Sequence, residues 1–267
     1  MYIHFDDLDL HYDIIGEGTP ILMIHGFGVD MNVMKGCMEP LFNKDRTYQR
    51  IYLDLPGMGR TKNRSLVYSA DTILQVLMNF IEKVIGNQPF LLVGESYGGY
   101  LSRGILSKIP QSILGILFIC PVIYPDSSQR ILPTNSMKIE NLELWRTLKK
   151  EEKMMFESEF FLFNKLTYER GVNEVLIGNQ NADKDALKQI SECYSFSKWF
   201  VEPHFDGATT FLVGKQDSVV GYKDAFNLMG NYKTATYIAL NGVGHNFQIE
   251  APCIFESMVS QWLDSIS

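Results

Sequence analysis

The stretch LLVGESYGGY, residues 91–100, is the part of the sequence that most strongly indicates the fold. A short apolar run leads into Ser96, and Gly94 and Gly98 lie two positions before and after that serine. A serine on a sharp turn between a strand and a helix is forced towards positive φ, and larger side chains at the two glycine positions would collide with that turn. The stretch therefore predicts a strand, a tight turn and a helix, although glycine and serine are also common in ordinary turns.

Length and composition indicate one globular α/β domain with an additional segment. The chain has 267 residues, of which 46% are hydrophobic and 12% aromatic, so it is long enough to bury a large core. Its formal net charge is −7 at pH 7, and no basic stripe runs through the sequence. Nucleic acids and anionic membrane surfaces are therefore disfavoured as partners.

The cysteines and the N-terminal residues indicate the cellular compartment of the protein. Cys37, Cys120, Cys193 and Cys253 are far apart and form no metal-binding CxxC spacing, which predicts four free thiols. The first residues, MYIHFDDLDLHYDIIG, lack the basic and apolar regions of a secretory signal, and no apolar run approaches the length of a membrane span. These features predict a cytoplasmic protein.

Apolar runs recur along the chain and alternate with helical segments. Residues 2–15 alternate in the manner of a β-hairpin, and later strands are expected in ILMIHG, RIYLDLPG, FLLVGES, ILGILFICP, ATTFLVGKQD and ATYIALNGVGH. Helices are expected over residues 70–86, 97–109, 219–230 and 248–265. This alternation predicts an α/β fold around a mainly parallel sheet.

Residues 122–205 interrupt the alternation. The segment has no strand-like run, and its sequence has the spacing of amphipathic helices, so we expect a helical cap on a core formed by residues 1–121 and 206–267. Its aromatic and methionine side chains suit either an apolar pocket or the contact between cap and core, and their helical spacing favours the contact. These side chains are Met154, Met155, Phe156, Phe160, Phe161 and Phe163.

Two later strands end in the residues that a serine nucleophile requires, a histidine base and a carboxylate that orients it. Asp217 follows the strand in TFLVG and His245 follows the strand in TYIAL, so both reach the same sheet edge as Ser96. The remaining histidines stand elsewhere in the pattern: His4, His11, His25 and His204. Asp126, after the strand in ILFIC, is a second candidate for the acid, but its longer connection favours Asp217.

Two backbone N–H groups are candidates for an oxyanion hole. Acyl transfer requires one donor after the nucleophile and one from the loop after an earlier strand. Tyr97 and Phe27 occupy these positions, with Phe27 inside HGFG. Neither GFGVDM nor GVGHNF completes the pattern G-x-G-x-x-G, which disfavours a dinucleotide site, and no cofactor or metal is expected.

Five motifs in this order resemble those of the α/β-hydrolase fold family: HGFG (25–28), DLPGMGRT (54–61), GESYGG (94–99), GKQDSVVGY (214–222) and GVGHNFQIEAP (242–252). The resemblance implies an eight-stranded-type, mostly parallel sheet flanked by helices, a triad of Ser96, Asp217 and His245, and a lid of helices. Glu95 precedes the serine where many relatives have histidine. A serine nucleophile argues against the haloalkane-dehalogenase and epoxide-hydrolase branches, which use aspartate.

The resulting functional hypothesis is a serine hydrolase. It would act on a small, partly apolar carboxylic ester or related acyl compound through an acyl-enzyme that water resolves. Cleavage of a carbon–carbon bond, peptidase action and acyl transfer to an alcohol stay open, because fold and triad do not determine the substrate. A receptor that turns over its ligand slowly is the alternative from another class of protein.

Overall fold

A sheet of nine strands forms the centre of the protein, and a second sheet has two strands. The computed structural model describes residues 1–42, 47–134, 136–198 and 201–266. Within these ranges the strands are, in chain order, β1 (Tyr2–His4), β2 (Leu8–Ile15), β3 (Thr19–Ile24), β4 (Tyr48–Leu53), β5 (Lys62–Asn63), β6 (Phe90–Glu95), β7 (Ile113–Ile119), β8 (Lys138–Ile139), β9 (Leu162–Phe163), β10 (Ala208–Gly214) and β11 (Ala235–Leu240).

The main sheet runs in the order β1-β2-β4-β3-β6-β7-β10-β11, and β5 pairs with β2. Every pairing from β4 across to β11 is parallel, whereas β2 is antiparallel to β1, β4 and β5. The N-terminal hairpin and the mostly parallel sheet are confirmed. The ninth strand, beyond the expected eight, is β5. Its two residues, Lys62 and Asn63, are both polar, so no alternation of apolar and polar residues predicts this strand.

Helices flank the main sheet and also make up most of the segment between β7 and β10. Within the described residues they are α1 (Asn32–Met38), α2 (Ala70–Phe80), α3 (Tyr97–Lys108), α4 (Leu142–Thr147), α5 (Lys150–Glu159), α6 (Lys165–Arg170), α7 (Ile177–Asn181), α8 (Lys184–Glu192), α9 (Lys223–Phe226), α10 (Phe247–Glu250) and α11 (Pro252–Asp264). The helix predicted over 97–109 is α3. The helix predicted over 70–86 is α2 followed by a π-helical turn over Ile81–Ile85.

The single helix predicted over residues 219–230 is wrong, because the range holds only the four α-helical residues of α9 and the start of a 3-10 turn at Met229–Asn231. The N–H groups of Val219 and Val220 bond to Asp217 Oδ1 at 2.9 Å, which makes a turn instead of a helix start. Gly221 then has a φ of 72°, outside the range of a right-handed helix.

The helix predicted over residues 248–265 is two helices, α10 and α11. The chain bends between them at Ala251, which has a φ of −134° and a ψ of 56°. Pro252 follows as the first residue of α11, where its missing N–H costs no helical hydrogen bond. The proline explains why the apolar pattern continues while the helix does not.

Residues 122–205 carry α4 to α8, together with β8 and β9. The expectation of no strand in this segment is wrong, because β8 and β9 pair in parallel, Lys138 with Leu162 and Ile139 with Phe163. Two residues are too few to give a periodic pattern, so this pairing depends on how the surrounding helices dock.

The segment packs closely on the rest of the molecule. Arg103 on α3 bonds to Glu202 at distances of 2.6 to 3.0 Å, and both side chains are largely buried. Four of its aromatic and methionine side chains, Met155, Phe156, Phe160 and Phe163, are buried in the hydrophobic core. Their burial agrees with a packing role, and their ring contacts lie within the segment itself, for example between Phe156 and Phe163.

The four cysteines agree with the prediction of free thiols. Cys37, Cys120, Cys193 and Cys253 are free, and the first two are buried. Among the residues that the structure describes, no helix combines the length and the apolar character needed to cross a bilayer.

Candidate active site

Ser96 lies on a strained turn between β6, at the middle of the sheet, and α3. Its φ is 51°, which a residue with a side chain rarely adopts. A Cβ on Gly94 would lie 2.5 Å from Ser102 Oγ, and a Cβ on Gly98 would lie 2.2 Å from the carbonyl oxygen of Ile24. Both flanking glycines are therefore required by close contacts of the turn.

A chain of two hydrogen bonds joins Ser96, His245 and Asp217. His245 Nε2 lies 2.9 Å from Ser96 Oγ, and His245 Nδ1 lies 2.9 Å from Asp217 Oδ2. The relative exposure of Ser96 and of His245 is 6–7%, and Asp217 is fully buried. The three residues follow β6, β11 and β10, so the carboxyl ends of three parallel strands bring them together.

The loops that carry Asp217 and His245 are held by their own hydrogen bonds. Asp217 Oδ1 accepts the N–H groups of the turn that follows it, which leaves Oδ2 facing the imidazole. The carboxylate of Glu250 accepts the N–H of Gly244 at 2.8 Å, directly before His245. It also accepts the N–H groups of Phe161 and Leu162 at 2.8 and 2.7 Å. Glu250 thus connects the histidine loop to the segment between β7 and β10.

Asp126, the second candidate for the acid, does not contact the imidazole. Its side chain is exposed, and Oδ1 accepts the N–H and the hydroxyl of Ser128 at 2.9 and 2.7 Å. Asp126 therefore caps the short helical turn Ser127–Gln129.

The other histidines have separate partners or surroundings. His25 Nδ1 donates to the carbonyl of Gly26 at 2.7 Å, and Nε2 accepts the N–H of Leu55 at 2.9 Å, so this buried ring joins HGFG to DLPG in its neutral form. Burial lowers the pKa of His25, in agreement with that form. The remaining histidines bond to aspartates or lie exposed: His11 to Asp54, His4 to Asp9, and His204 at the surface.

The backbone N–H groups of Phe27 and Tyr97 flank the serine. Phe27 is in the loop after β3, and Tyr97 is the first residue of α3, whose N–H has no helical acceptor. Within the described residues, neither N–H donates to another protein group. The rings of the two residues meet edge to face at 6.0 Å, which packs the loop after β3 against the start of α3.

A family model described as alpha/beta hydrolase fold matches residues 19–252. The chain belongs to the alpha/beta hydrolase fold family. The match spans every element from β3 to the start of α11, including the three loops that carry Ser96, Asp217 and His245.

Individual relatives agree with this assignment. An alpha/beta superfamily hydrolase from Oenococcus oeni PSU-1 has a TM-score of 0.88 and 30% identity, covering 100% of this chain and 99% of that chain. Monoacylglycerol lipase ABHD6 from Homo sapiens is 23% identical over 279 residues, 99% of this chain and 82% of the relative. Pimeloyl-(acyl-carrier protein) methyl ester esterase from Legionella pneumophila (strain Corby) is 23% identical over 266 residues, 96% of this chain and 100% of the relative. The protein is a hydrolase.

Three carboxylates surround His245 of this hydrolase. Burial lowers the pKa of His245, but Asp217, helped by Glu95 and Glu159, offsets this and raises the pKa to about 9. Glu95 Oε1 lies 3.8 Å from His245 Nε2. Burial raises the pKa of Glu95 to about 7 against the opposing effect of His245, and desolvation likewise raises the pKa of Glu159. The site therefore favours a positive charge on the imidazole.

A cavity of about 370 Å³ opens over Ser96 and His245 in the hydrolase. Valines contribute apolar surface, and one cation and two acids contribute charge. The valines are Val29, Val33, Val122 and Val219, and the charged residues are Arg130, Glu95 and Glu159. Its size suits a small molecule. In the described part of the chain, none of the six cap residues expected as possible pocket residues lines this cavity.

Several residues of the site were not found from the sequence. Glu250 stands in the motif GVGHNFQIEAP, six residues after Gly244, so the motif itself indicates that this glutamate lies near the histidine loop. Arg130, Glu159 and Tyr194 come from residues 122–205, where the sequence indicates which helical faces are buried but not which of them line the cavity at Ser96.

Cys120 brings a thiol close to the same residues of the hydrolase. Its sulfur, a carboxylate oxygen of Asp217 and a nitrogen of His245 lie within 4.8 Å of one another, a set that resembles a metal-binding group. Burial raises the pKa of the Cys120 thiol, so the sulfur stays protonated, and Asp217 and His245 are bonded to each other. This chemistry favours a hydrogen-bonded pair beside a neutral thiol.

Proposed function

We propose that this hydrolase cleaves small carboxylic esters with Ser96 as nucleophile, His245 as base and Asp217 as the residue that orients the base. The observation that carries the proposal is the chain of two 2.9 Å hydrogen bonds from Asp217 through His245 to Ser96, at the floor of a cavity. The names of the lipase and esterase relatives, which describe ester substrates, support the same reaction class.

In the first half of the reaction, His245 Nε2 accepts the proton of Ser96 Oγ while Oγ attacks the ester carbonyl. The N–H groups of Phe27 and Tyr97 donate to the developing oxyanion, and each such donor is worth about 10²–10³ in rate. The tetrahedral intermediate then collapses. The imidazolium gives its proton to the leaving alkoxide, so an alcohol departs and Ser96 carries the acyl group.

In the second half, water replaces the alcohol. His245 Nε2 takes a proton from the water as its oxygen attacks the acyl carbonyl, and the same two N–H groups stabilise the second oxyanion. Collapse returns that proton to Ser96 Oγ and releases the carboxylic acid. The negative charge of Asp217 accompanies the imidazolium through both halves, which fits the raised pKa of His245.

We further propose that residues 122–205 act as a cap over the cavity. Pro125, Arg130, Glu159 and Tyr194 all line the cavity and all come from this segment. A cap that closes on a substrate excludes bulk water and strengthens the electrostatic interactions inside. On this proposal the cap determines which esters enter.

The test uses a fluorophosphonate probe and a panel of esters, amides and diketones. We expect the probe to label the wild-type protein, and the protein to hydrolyse short p-nitrophenyl esters. Ser96→Ala should abolish both while keeping the circular-dichroism spectrum, because one hydroxyl is removed. Turnover of diketones or amides alone, or full ester hydrolysis by Ser96→Ala, would contradict the proposal.

A further inference from the structure

Arg130 is held in the wall of the cavity by three backbone carbonyls. Nε donates to the carbonyl of Tyr124 at 2.8 Å, Nη1 to that of Val219 at 3.0 Å, and Nη2 to that of Pro125 at 3.0 Å. Three contacts from two different loops give the guanidinium one orientation. A guanidinium has five N–H donors, so two of them are left for another acceptor.

The charge of Arg130 has no close counterion. Among the described residues, no carboxylate oxygen lies within salt-bridge distance of its guanidinium. The nearest acid along the chain, Asp126, directs its carboxylate to Ser128 and Gln129. Its pKa is lowered first by the hydrogen bond from the Ser128 hydroxyl and only lastly by Arg130. Carbonyl oxygens satisfy hydrogen bonds of Arg130 but do not neutralise its positive charge.

The acids of the cavity lie beside the nucleophile and not beside Arg130. Glu95 is close to His245, whereas the contacts of Arg130 are with the cap segment and Val219. Tyr194 lines the same cavity, and the pKa of its hydroxyl, which burial raises, is lowered by Arg130 and raised by Glu95. A substrate with its ester carbonyl at Ser96 occupies the same cavity as this fixed cation, because Ser96 and Arg130 both line it.

We propose that Arg130 binds a carboxylate at the far end of the substrate, so that the hydrolase prefers monoesters of short dicarboxylic acids over neutral esters. A guanidinium presents paired N–H donors that match the two oxygens of a carboxylate, and charge-assisted bonds of this kind are about twice as strong as neutral ones. The inference rests on the proposed ester hydrolysis and names its substrate class.

A structural role for Arg130 predicts a different result. The bond from Nη1 to Val219 lies two residues from Asp217, so loss of Arg130 could also disturb the orienting acid. Such a disturbance would slow every ester by the same factor. A role in recognition would slow only substrates that carry the distal charge. The ratio of two matched substrates separates these roles.

The experiment compares monomethyl glutarate with its monoamide, methyl 4-carbamoylbutanoate, which has the same shape without the charge. Monomethyl succinate and adipate test the reach. We expect kcat/KM of the wild type to favour the acid by about tenfold or more, mainly through KM. Arg130→Gln should remove this preference, Arg130→Lys should retain part of it, and the exposed, remote Arg64→Gln should keep it in full.

Two results would overturn the inference: a wild type that cleaves acid and amide equally, or a preference that persists in Arg130→Gln. Hydrolysis of p-nitrophenyl acetate checks the proposed function separately, because that ester carries no distal charge. If no ester is cleaved, the proposed function fails. The role of Arg130 is then decided by calorimetry, which measures binding of the acid and of the amide to Ser96→Ala and to the double variant Ser96→Ala, Arg130→Gln. Equal binding of the two compounds would then reject it.

Discussion

Asp217 and His245 are joined by a hydrogen bond of 2.9 Å between Oδ2 and Nδ1, while the second oxygen of the same carboxylate accepts the N–H groups of Val219 and Val220. The two backbone bonds to Oδ1 restrain the carboxylate in the orientation in which Oδ2 faces the imidazole. The carboxylate is thus held in the position where it selects the imidazole tautomer that leaves Nε2 free to accept a proton.

Asp217→Asn should lower kcat of ester hydrolysis on the order of 10⁴, because the amide stabilises the wrong tautomer of His245. Asp126→Asn is the matched control, since its side chain is exposed and bonds only near itself. Its kcat should change less than about tenfold. Steady-state kinetics of both variants check this, and the reverse ranking would identify Asp126 as the acid.

The pH dependence of hydrolysis should follow the protonation of His245. The base must be neutral, and its pKa is raised to about 9, so kcat/KM of the free enzyme should increase with pH through that value. The sequence alone predicts a midpoint near 6.5, the ordinary value for histidine.

Removal of the Glu95 charge should move this rate profile to lower pH. Glu95 Oε1 lies 3.8 Å from His245 Nε2 and helps to hold the imidazolium. In Glu95→Gln that help is lost, so the midpoint of the increase in kcat/KM should fall by about one pH unit or more. A pH–rate series on one neutral ester measures this. An unchanged midpoint would show that Glu95 does not act on the base.

Glu95→Gln should also change how stability depends on pH. The folded-state pKa of Glu95, about 7, is above its ordinary value of 4.5, so the folded protein binds this proton more tightly than the unfolded chain does. The resulting stabilisation is present below about pH 4.5 and is lost as the pH rises to about 7. Because glutamine cannot ionise, the variant should gain on the order of 1–3 kcal/mol over the wild type at pH 8, and less at pH 5. Urea unfolding at the two pH values checks the sign, and an equal difference at both would contradict it.

Glu250→Gln should weaken both stability and turnover. Glu250 accepts three backbone N–H groups from the histidine loop and from the segment between β7 and β10, and the amide of glutamine cannot accept all three. Leaving a buried N–H without its partner costs about 1–3 kcal/mol of unfolding free energy. We also expect kcat to fall about tenfold, as the loop before His245 loosens.

The control for Glu250→Gln is Glu256→Gln, an exposed glutamate on α11. Its unfolding free energy should stay within about 0.5 kcal/mol of the wild type, and its kcat should not change. Thermal and urea unfolding of both variants, with matched kinetics, provide the comparison. Equal behaviour of the two variants would mean that Glu250 does not couple the two parts of the protein.

The sequence by itself determined the parts of the protein that depend on a few neighbouring residues. The apolar run before Ser96 and the glycines at 94 and 98 predict the strand, the turn and the helix, because the contacts that require these glycines lie within the turn, on the helix after it or on the adjacent strand. Asp217 and His245 could be named in advance because each follows a parallel strand, and parallel strands end at one edge of the sheet.

Patterns failed where a distant contact or one special residue ended an element. The helix expected over 219–230 shrinks to α9 because Asp217 takes the N–H groups of the residues after it, and the helix over 248–265 breaks at Pro252. Both regions keep an apolar spacing, so periodicity gave no warning of either change.

Only the tertiary structure decided which residues surround Ser96. Arg130, Glu159 and Tyr194 belong to a segment whose helical spacing tells which faces are buried but not what they are buried against. The same holds for Glu250, whose partners Phe161 and Leu162 lie 89 and 88 residues away along the chain. These segments contact one another only when the whole chain has folded. The same packing removes water from around Glu95 and so raises the pKa of Glu95 to about 7.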